Sequence, residues 1–98
     1  MSEPTRALRP GKINKLELRN RIIKTATNEG MAPGGMPSEQ LARFHGRLAE
    51  EGVGMTTVAY CAVTADGRTF ADQMYARPEI VPALKRLTSA VHAAGGAA

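Results

Sequence analysis

The stretch Asn20–Gln40, "NRIIKTATNEGMAPGGMPSEQ", carries the transition on which the fold turns. Ile22 and Ile23 are β-branched and mark a strand over Ile22–Thr25. That strand runs into Thr25-Ala26-Thr27-Asn28, small or polar residues where a buried strand would normally carry bulk. Such an end leaves room for something to lie flat against the backbone. Glu29–Pro37 follows, and its "GMAPGG" is compatible only with a loop. Ser38 is a good helix N-cap, Glu39 suits the positive end of the helix dipole, and Leu41, Phe44 and Leu48 recur at the spacing of one helical face. Gly52 stops this helix, expected over Ser38–Glu51, as a C-terminal glycine does.

Upstream, Lys12–Leu18 ("KINKLEL") alternates apolar and polar residues around Asn14-Lys15, the pattern of a short β-hairpin. Downstream, "VGMTTVAY" is β-rich and nearly uncharged, which predicts a strand over Val53–Ala59 covered on both faces. Cys61–Pro78 reads as a long loop with a turn at Asp66-Gly67. A second helix is expected over Glu79–Ala94, with Ile80, Leu84, Leu87 and Val91 on one face and Pro82 tolerated in the first turn. Gly95-Gly96 ends it, and Ala97-Ala98 look like the start of a third strand.

The order is strand, loop, helix, strand, loop, helix, strand, and Ile22 lies 33 residues before Met55. A βαβ unit needs about 30 residues or more. Such units build parallel sheets, doubly wound or closed as a (β/α)₈ barrel. Long loops after the strands and tight turns after the helices favour the barrel, with the active face at the C-terminal strand ends. The hairpin then plugs the base. In a barrel both helices lie on the same side of the sheet.

Ninety-eight residues allow one small domain, or the front part of a longer protein, which the strand stub at the C-terminus suggests. The N-terminus "MSEPTRALRPGK" has no apolar core and is no secretory signal. No run of about 18 apolar residues could span a bilayer. Cys61 is the sole cysteine, which excludes an internal disulfide framework and a cysteine-rich zinc site. A cytoplasmic protein is expected, without a membrane partner. The net charge of +4 is spread along the chain and not interleaved with aromatics, so nucleic acid is not an expected partner.

Several residues have plain readings. Asn28 suits an Asx turn, and Thr25 and Thr27 suit a strand. Cys61 suits space-filling, Arg21 salt bridges at the barrel base, and neither His45 nor His92 has the setting of a catalytic group. "GMAPGG" lacks the Gly-Lys-Ser/Thr ending of a phosphate loop.

"LRPGKINKLELRNRIIKTATNEG" resembles the opening of the Old Yellow Enzyme family of FMN-dependent ene-reductases and dienoyl-CoA reductase-like enzymes, with Leu8, Pro10, Ile13, Leu18, Asn20, Arg21 and Ile22 matching. The likeness continues through "PSEQLARFHGRLAEEGVGMTTVAYCAVTADGRT" and "RPEIVPALKRLTSAVHAAGG". The resemblance implies an α/β chain forming the N-terminal portion of a (β/α)₈ TIM barrel, with residues 1–98 an incomplete part of that domain. It implies FMN as cofactor, NAD(P)H as reductant and a small enone or enoyl-type substrate, and it is compatible with a homo-oligomer. By the family pattern, the backbone of Thr25, Ala26 and Thr27 lies against the isoalloxazine. Asn28 takes the position of a Thr or Cys near a flavin carbonyl, and Tyr60 takes that of a small residue beside the flavin. Ala26-Thr27 replaces the family's usual Pro-Met pair. The substrate-orienting and proton-donating residues of the family come from later strands, so no catalytic residue and no metal ligand is expected here. Two other readings stand beside it: a complete small α/β binding module without activity, or the start of a TIM-barrel lyase using Lys24. Alone, the 98 residues are expected to be inactive and unstable, with the apolar faces of Leu41/Phe44/Leu48 and Ile80/Leu84/Leu87 uncovered.

Overall fold

The computed structural model describes residues 5–98; the first four residues of "MSEPTRALRPGK" lie outside them. β1 (Gly11–Ile13) and β2 (Leu16–Leu18) form the antiparallel hairpin, with Ile13 opposite Leu16. Asn14 makes the tight turn at φ 52°, a left-handed conformation that asparagine tolerates better than most residues. β3 (Ile23–Lys24) runs parallel to β4 (Met55–Thr56), pairing Ile23 with Met55 and Lys24 with Thr56. Ala97 joins on the other side of β4, since its N–H donates to Gly54 O at 3.0 Å and its carbonyl accepts from Thr56 N at 2.9 Å. The third strand is therefore parallel too. Regular pairing is shorter than the expected Ile22–Thr25 and Val53–Ala59, and its last bond between the two strands is Thr57 N to Lys24 O at 3.1 Å.

α1 (Glu39–Glu50) is capped by Ser38, whose hydroxyl accepts from Leu41 N at 3.0 Å. α2 (Val81–Ala93) follows a 3-10 turn over Pro78–Ile80, so the second helix starts two residues later than expected as an α-helix. The two helices lie side by side. A Cβ on Gly46 of α1 would meet the Ala90 Cβ of α2 at 3.5 Å, ordinary contact distance. Leu41, Ala49, Met74, Leu87 and Val91 form the core beneath them. Parallel strands with both helices on one side are the (β/α)₈ arrangement, present among the described residues as three adjacent strands.

Two expectations about burial need correction. On α1 the most buried line is Leu41, His45 and Ala49, with Phe44 and Leu48 only half-buried. On α2, Leu87 is fully buried, and Ile80, in the 3-10 turn before the helix, is nearly so. The helices cover each other, and exposed aliphatic side chains gather on the hairpin and at the first strand (Ile13, Leu16, Ile22 and Ile23), with Leu8, Val63 and Val81 exposed elsewhere. The side chains of Lys24 and Thr56 engage the α1 side of the sheet, and alternation along a strand sends Ile23 to the opposite face.

The segment Cys61–Pro78 is more ordered than a loop. It contains β5 (Cys61–Ala62) and β6 (Met74–Tyr75), a parallel pair, with a 3-10 turn over Ala65–Gly67 at the expected Asp66-Gly67. Two-residue strands are too short to leave a periodic signal. Cys61 is exposed, not space-filling, because it begins a short strand at the rim.

Candidate functional site

The two ends of the parallel strands are built differently. At the N-terminal end, the Asn20 side chain donates from Nδ2 to Gly52 O at 2.6 Å and accepts from Ile22 N at 3.1 Å. A Cβ on Gly54 would sit 2.6 Å from Asn20 O and 2.7 Å from its Oδ1, so only glycine fits there. Asn20 and the turn Gly52-Val53-Gly54 thus meet in space, at the base. Arg21 donates to Pro10 O at 3.2 Å and holds the hairpin, where a salt bridge was expected; the hairpin's nearest anchor to it is a carbonyl. Arg19 donates to Val53 O at 2.9 Å, to Ala94 O at 2.8 Å and to Ala49 O. A single guanidinium therefore serves the C-terminal ends of both helices, where carbonyls lack helical partners.

At the C-terminal end, Thr25, Ala26, Thr27 and Asn28 are all exposed. Asn28 and Tyr60 line one cleft of about 370 Å³ together with Met31, Leu41, Phe70 and Met74. Thr25, Ala26 and Thr27 are not part of its lining; they lie on the segment that leads into it. Asn28 Oδ1 accepts from Gly30 N at 3.2 Å, the Asx turn that its position suggests. This bond occupies the amide oxygen and leaves Nδ2 as the donor end of the same group. The glycine loop is pinned from across the cleft: Gly34 N donates to Asp72 Oδ1 at 3.3 Å and Arg77 donates to Gly35 O at 3.4 Å. Arg77 in turn lies 4.0 Å over the Tyr75 ring.

Behind this rim lies a buried polar group that periodicity does not reveal. His45, fully buried, has Nε2 2.7 Å from Glu29 Oε1 and Nδ1 2.6 Å from Thr56 Oγ1. Lys24 Nζ reaches the same Glu29 oxygen at 3.1 Å and Thr57 O at 3.3 Å. A carboxylate only accepts, so Nε2 carries the imidazole hydrogen and Nδ1 accepts from the Thr56 hydroxyl. Burial lowers the His45 pKa from 6.5, partly opposed by the hydrogen bond and charge of Glu29 and reinforced by Lys24. The neutral ring fits that directed chain of bonds. Among the described residues, no group of His, Cys, Asp and Glu is arranged to hold a metal.

Comparison with known proteins places this geometry. The model of the NADH:flavin oxidoreductase / NADH oxidase family matches residues 8–98. The chain belongs to this family. It is 48% identical over 89 residues to a 4,4'-dithiodibutanoate disulfide reductase of Rhodococcus erythropolis, covering 91% of this chain and 22% of that protein. It is 35% identical over 86 residues to a metal reductase of Desulforamulus reducens, covering 88% and 13%. The chain thus spans about a fifth or less of these relatives. Among solved structures, a complex of 2-naphthoyl-CoA reductase superposes with a TM-score of 0.86 at 22% identity, over 93% of this chain and 14% of that one. An Old Yellow Enzyme from a Pichia species superposes at 0.84 and 19%, over 94% and 24%. At such identities the likeness establishes the fold, the opening units of a (β/α)₈ barrel. No helix among the described residues is long and apolar enough to cross a membrane.

Proposed function

We propose that residues 1–98 are the N-terminal part of a barrel domain in an FMN-dependent, NAD(P)H-oxidising reductase, and that they form one wall of its flavin site. The observation that carries this reading is the meeting of Asn28 and Tyr60 on one cleft at the C-terminal ends of β3 and β4, beside exposed Thr25, Ala26 and Thr27. The residues fit the cofactor. Small side chains let the backbone of Thr25–Thr27 approach a flat ring, and Asn28, its oxygen held by Gly30, offers an amide donor to a ring carbonyl. Tyr60 contributes its backbone, and Met31, Leu41, Phe70 and Met74 give the cleft apolar surface beside the polar Asn28, Gln40, Asp72 and Gln73. When bound, FMN supplies the hydride chemistry, accepting from NAD(P)H and delivering to the β-carbon of an electron-poor alkene. This chain's residues hold and polarise; they donate no proton to the substrate. The 48% identity to a disulfide reductase favours a second acceptor, a small organic disulfide whose S–S bond is cleaved by the hydride to a thiolate and a thiol. A cytoplasmic enzyme, compatible with homo-oligomers, accords with this reading.

The test uses the full-length protein. It should purify yellow, release FMN on denaturation, and bleach anaerobically with NADH or NADPH. Re-oxidation by 2-cyclohexenone, crotonyl-CoA and 4,4'-dithiodibutanoate then separates the acceptors. A colourless protein that neither binds added FMN nor oxidises NAD(P)H would overturn the proposal.

A further inference from the structure

We infer that Glu29 is a positioning residue, the buried clamp that fixes Asn28 on the rim. Glu29 directly follows Asn28, yet while Asn28 is exposed the Glu29 side chain is only 3% exposed. The chain therefore dives at this point. Its carboxylate is drawn under α1 by His45 at 2.7 Å and toward the sheet by Lys24 at 3.1 Å. His45 is itself fixed by Thr56, which pairs in the sheet with Lys24. The loop that leaves β3 is thus tied to α1, β3 and β4 through one side chain.

The network lies on the helix side of the sheet and does not line the Asn28–Tyr60 cleft. Its groups are not aimed at a ligand. Ion-pair attraction here is opposed by the cost of burying charge, so stability alone is a weak reason to place a carboxylate there. Holding a loop in one register is a better-supported use of buried polar groups, and Glu29 Oε1 takes both the His45 and the Lys24 contacts. With Glu29 fixed, Asn28 has little freedom: its neighbour is anchored on one side and its own Oδ1 is closed onto Gly30 on the other. The amide Nδ2 is held as a preorganised donor, which lowers the ordering cost when a ligand meets it. The clamp itself stands on the geometry, and its effect on flavin rests on the function proposed above.

The experiment is a double-mutant cycle in the full-length protein, using Glu29→Gln, Asn28→Ala and the pair. Glu29→Gln keeps the shape and an acceptor for His45 but weakens the grip on Lys24. Two readouts are taken. In flavin-free protein, hydrogen exchange over peptides covering 25–37 should rise roughly 10-fold in Glu29→Gln. In flavin-loaded protein, Glu29→Gln should move the visible flavin absorption in the same direction as Asn28→Ala, and the double variant should match Asn28→Ala alone. A merely structural role would not move the flavin band, or would add to the Asn28→Ala effect. Unchanged exchange overturns the clamp whatever happens to flavin, and so do additive spectral shifts. Failure of the wild-type protein to bind FMN would instead count against the proposed function, leaving the exchange readout to decide on the clamp. Thr56→Val, which removes only the hydroxyl behind His45, is the second variant should Glu29→Gln not fold. It should raise exchange over the same peptides by a smaller factor, and no change there would be equally decisive against the proposal.

Discussion

The two ends of the β3–β4 sheet solve opposite problems. The base is closed with short, local chemistry: a glycine that leaves no room, an asparagine that fills it, and an arginine that collects carbonyls. The rim is left open, with exposed small residues, a cleft of mixed apolar and polar lining, and a buried polar group set one layer behind the surface. In an α/β barrel this division separates stability from function. Substitutions at the base should cost folding free energy, and those at the rim should change what is bound while leaving folding nearly intact.

The largest expected effect tests the base directly. Gly54→Ala places a methyl group within 2.6 Å of the Asn20 carbonyl, which is backbone and cannot swing aside. Overpacking of this kind should cost about 3 kcal/mol in urea unfolding of the full-length protein. A loss under about 1 kcal/mol would show that the base yields as readily as a loop. Next comes Arg19→Ala, which frees carbonyls of Ala49, Val53 and Ala94. Because Arg19 is exposed and water can take over part of this bonding, about 1–2 kcal/mol is expected in the same measurement. Arg19→Lys should recover less than half of it, since one ammonium cannot fork among three acceptors.

A smaller effect lies between the two regions. The folded-state pKa of His45 is below 6.5, chiefly because burial disfavours the charged ring. As pH falls through 6.5, the unfolded chain takes a proton that the native ring still refuses, so native stability declines. The contribution is complete above that pH and is lost progressively down to the folded pKa. Unfolding free energies at a series of pH values from above 6.5 downward should show this slope, and His45→Gln should flatten it. An equal slope in the variant would assign the dependence to other groups. The smallest effect on folding belongs to the rim. Asn28→Ala should change stability by no more than about 0.5 kcal/mol. It should shift the flavin absorbance or reduction potential more than it changes FMN occupancy. Unchanged spectrum and titration would remove Asn28 from the wall.

What could be read from residues alone follows the same division. Asn14-Lys15, Ser38, Gly52 and Gly95 announce turns, a cap and stops through their own conformational preferences, and the structure places each as expected. Asn20 was legible as a match to the family opening and Gly52 as a helix stop, and the structure brings them together with Gly54. His45 was not legible as a core residue. An imidazole at the centre of a helix's buried line is acceptable only because Glu29, 16 residues before it, and Thr56, 11 after it, satisfy both nitrogens. No helical or strand period links positions so spaced. The same holds for β5 and β6, whose two-residue ladders depend on Met74 reaching Cys61 across the intervening turn. Of the candidate wall, Asn28 and Tyr60 come together on the cleft, and Thr25–Thr27 lie on the exposed segment that leads into it.

Arg19 also sets an order of events during synthesis. Its partners lie 30, 34 and 75 residues further along the chain. At about 5–20 residues per second, Ala94 is made roughly 4–15 s after Arg19. For that interval the guanidinium can engage only the end of the first helix and the turn beyond it. The clasp at the barrel floor can close only once the second helix is finished, because one of its acceptors is Ala94 O.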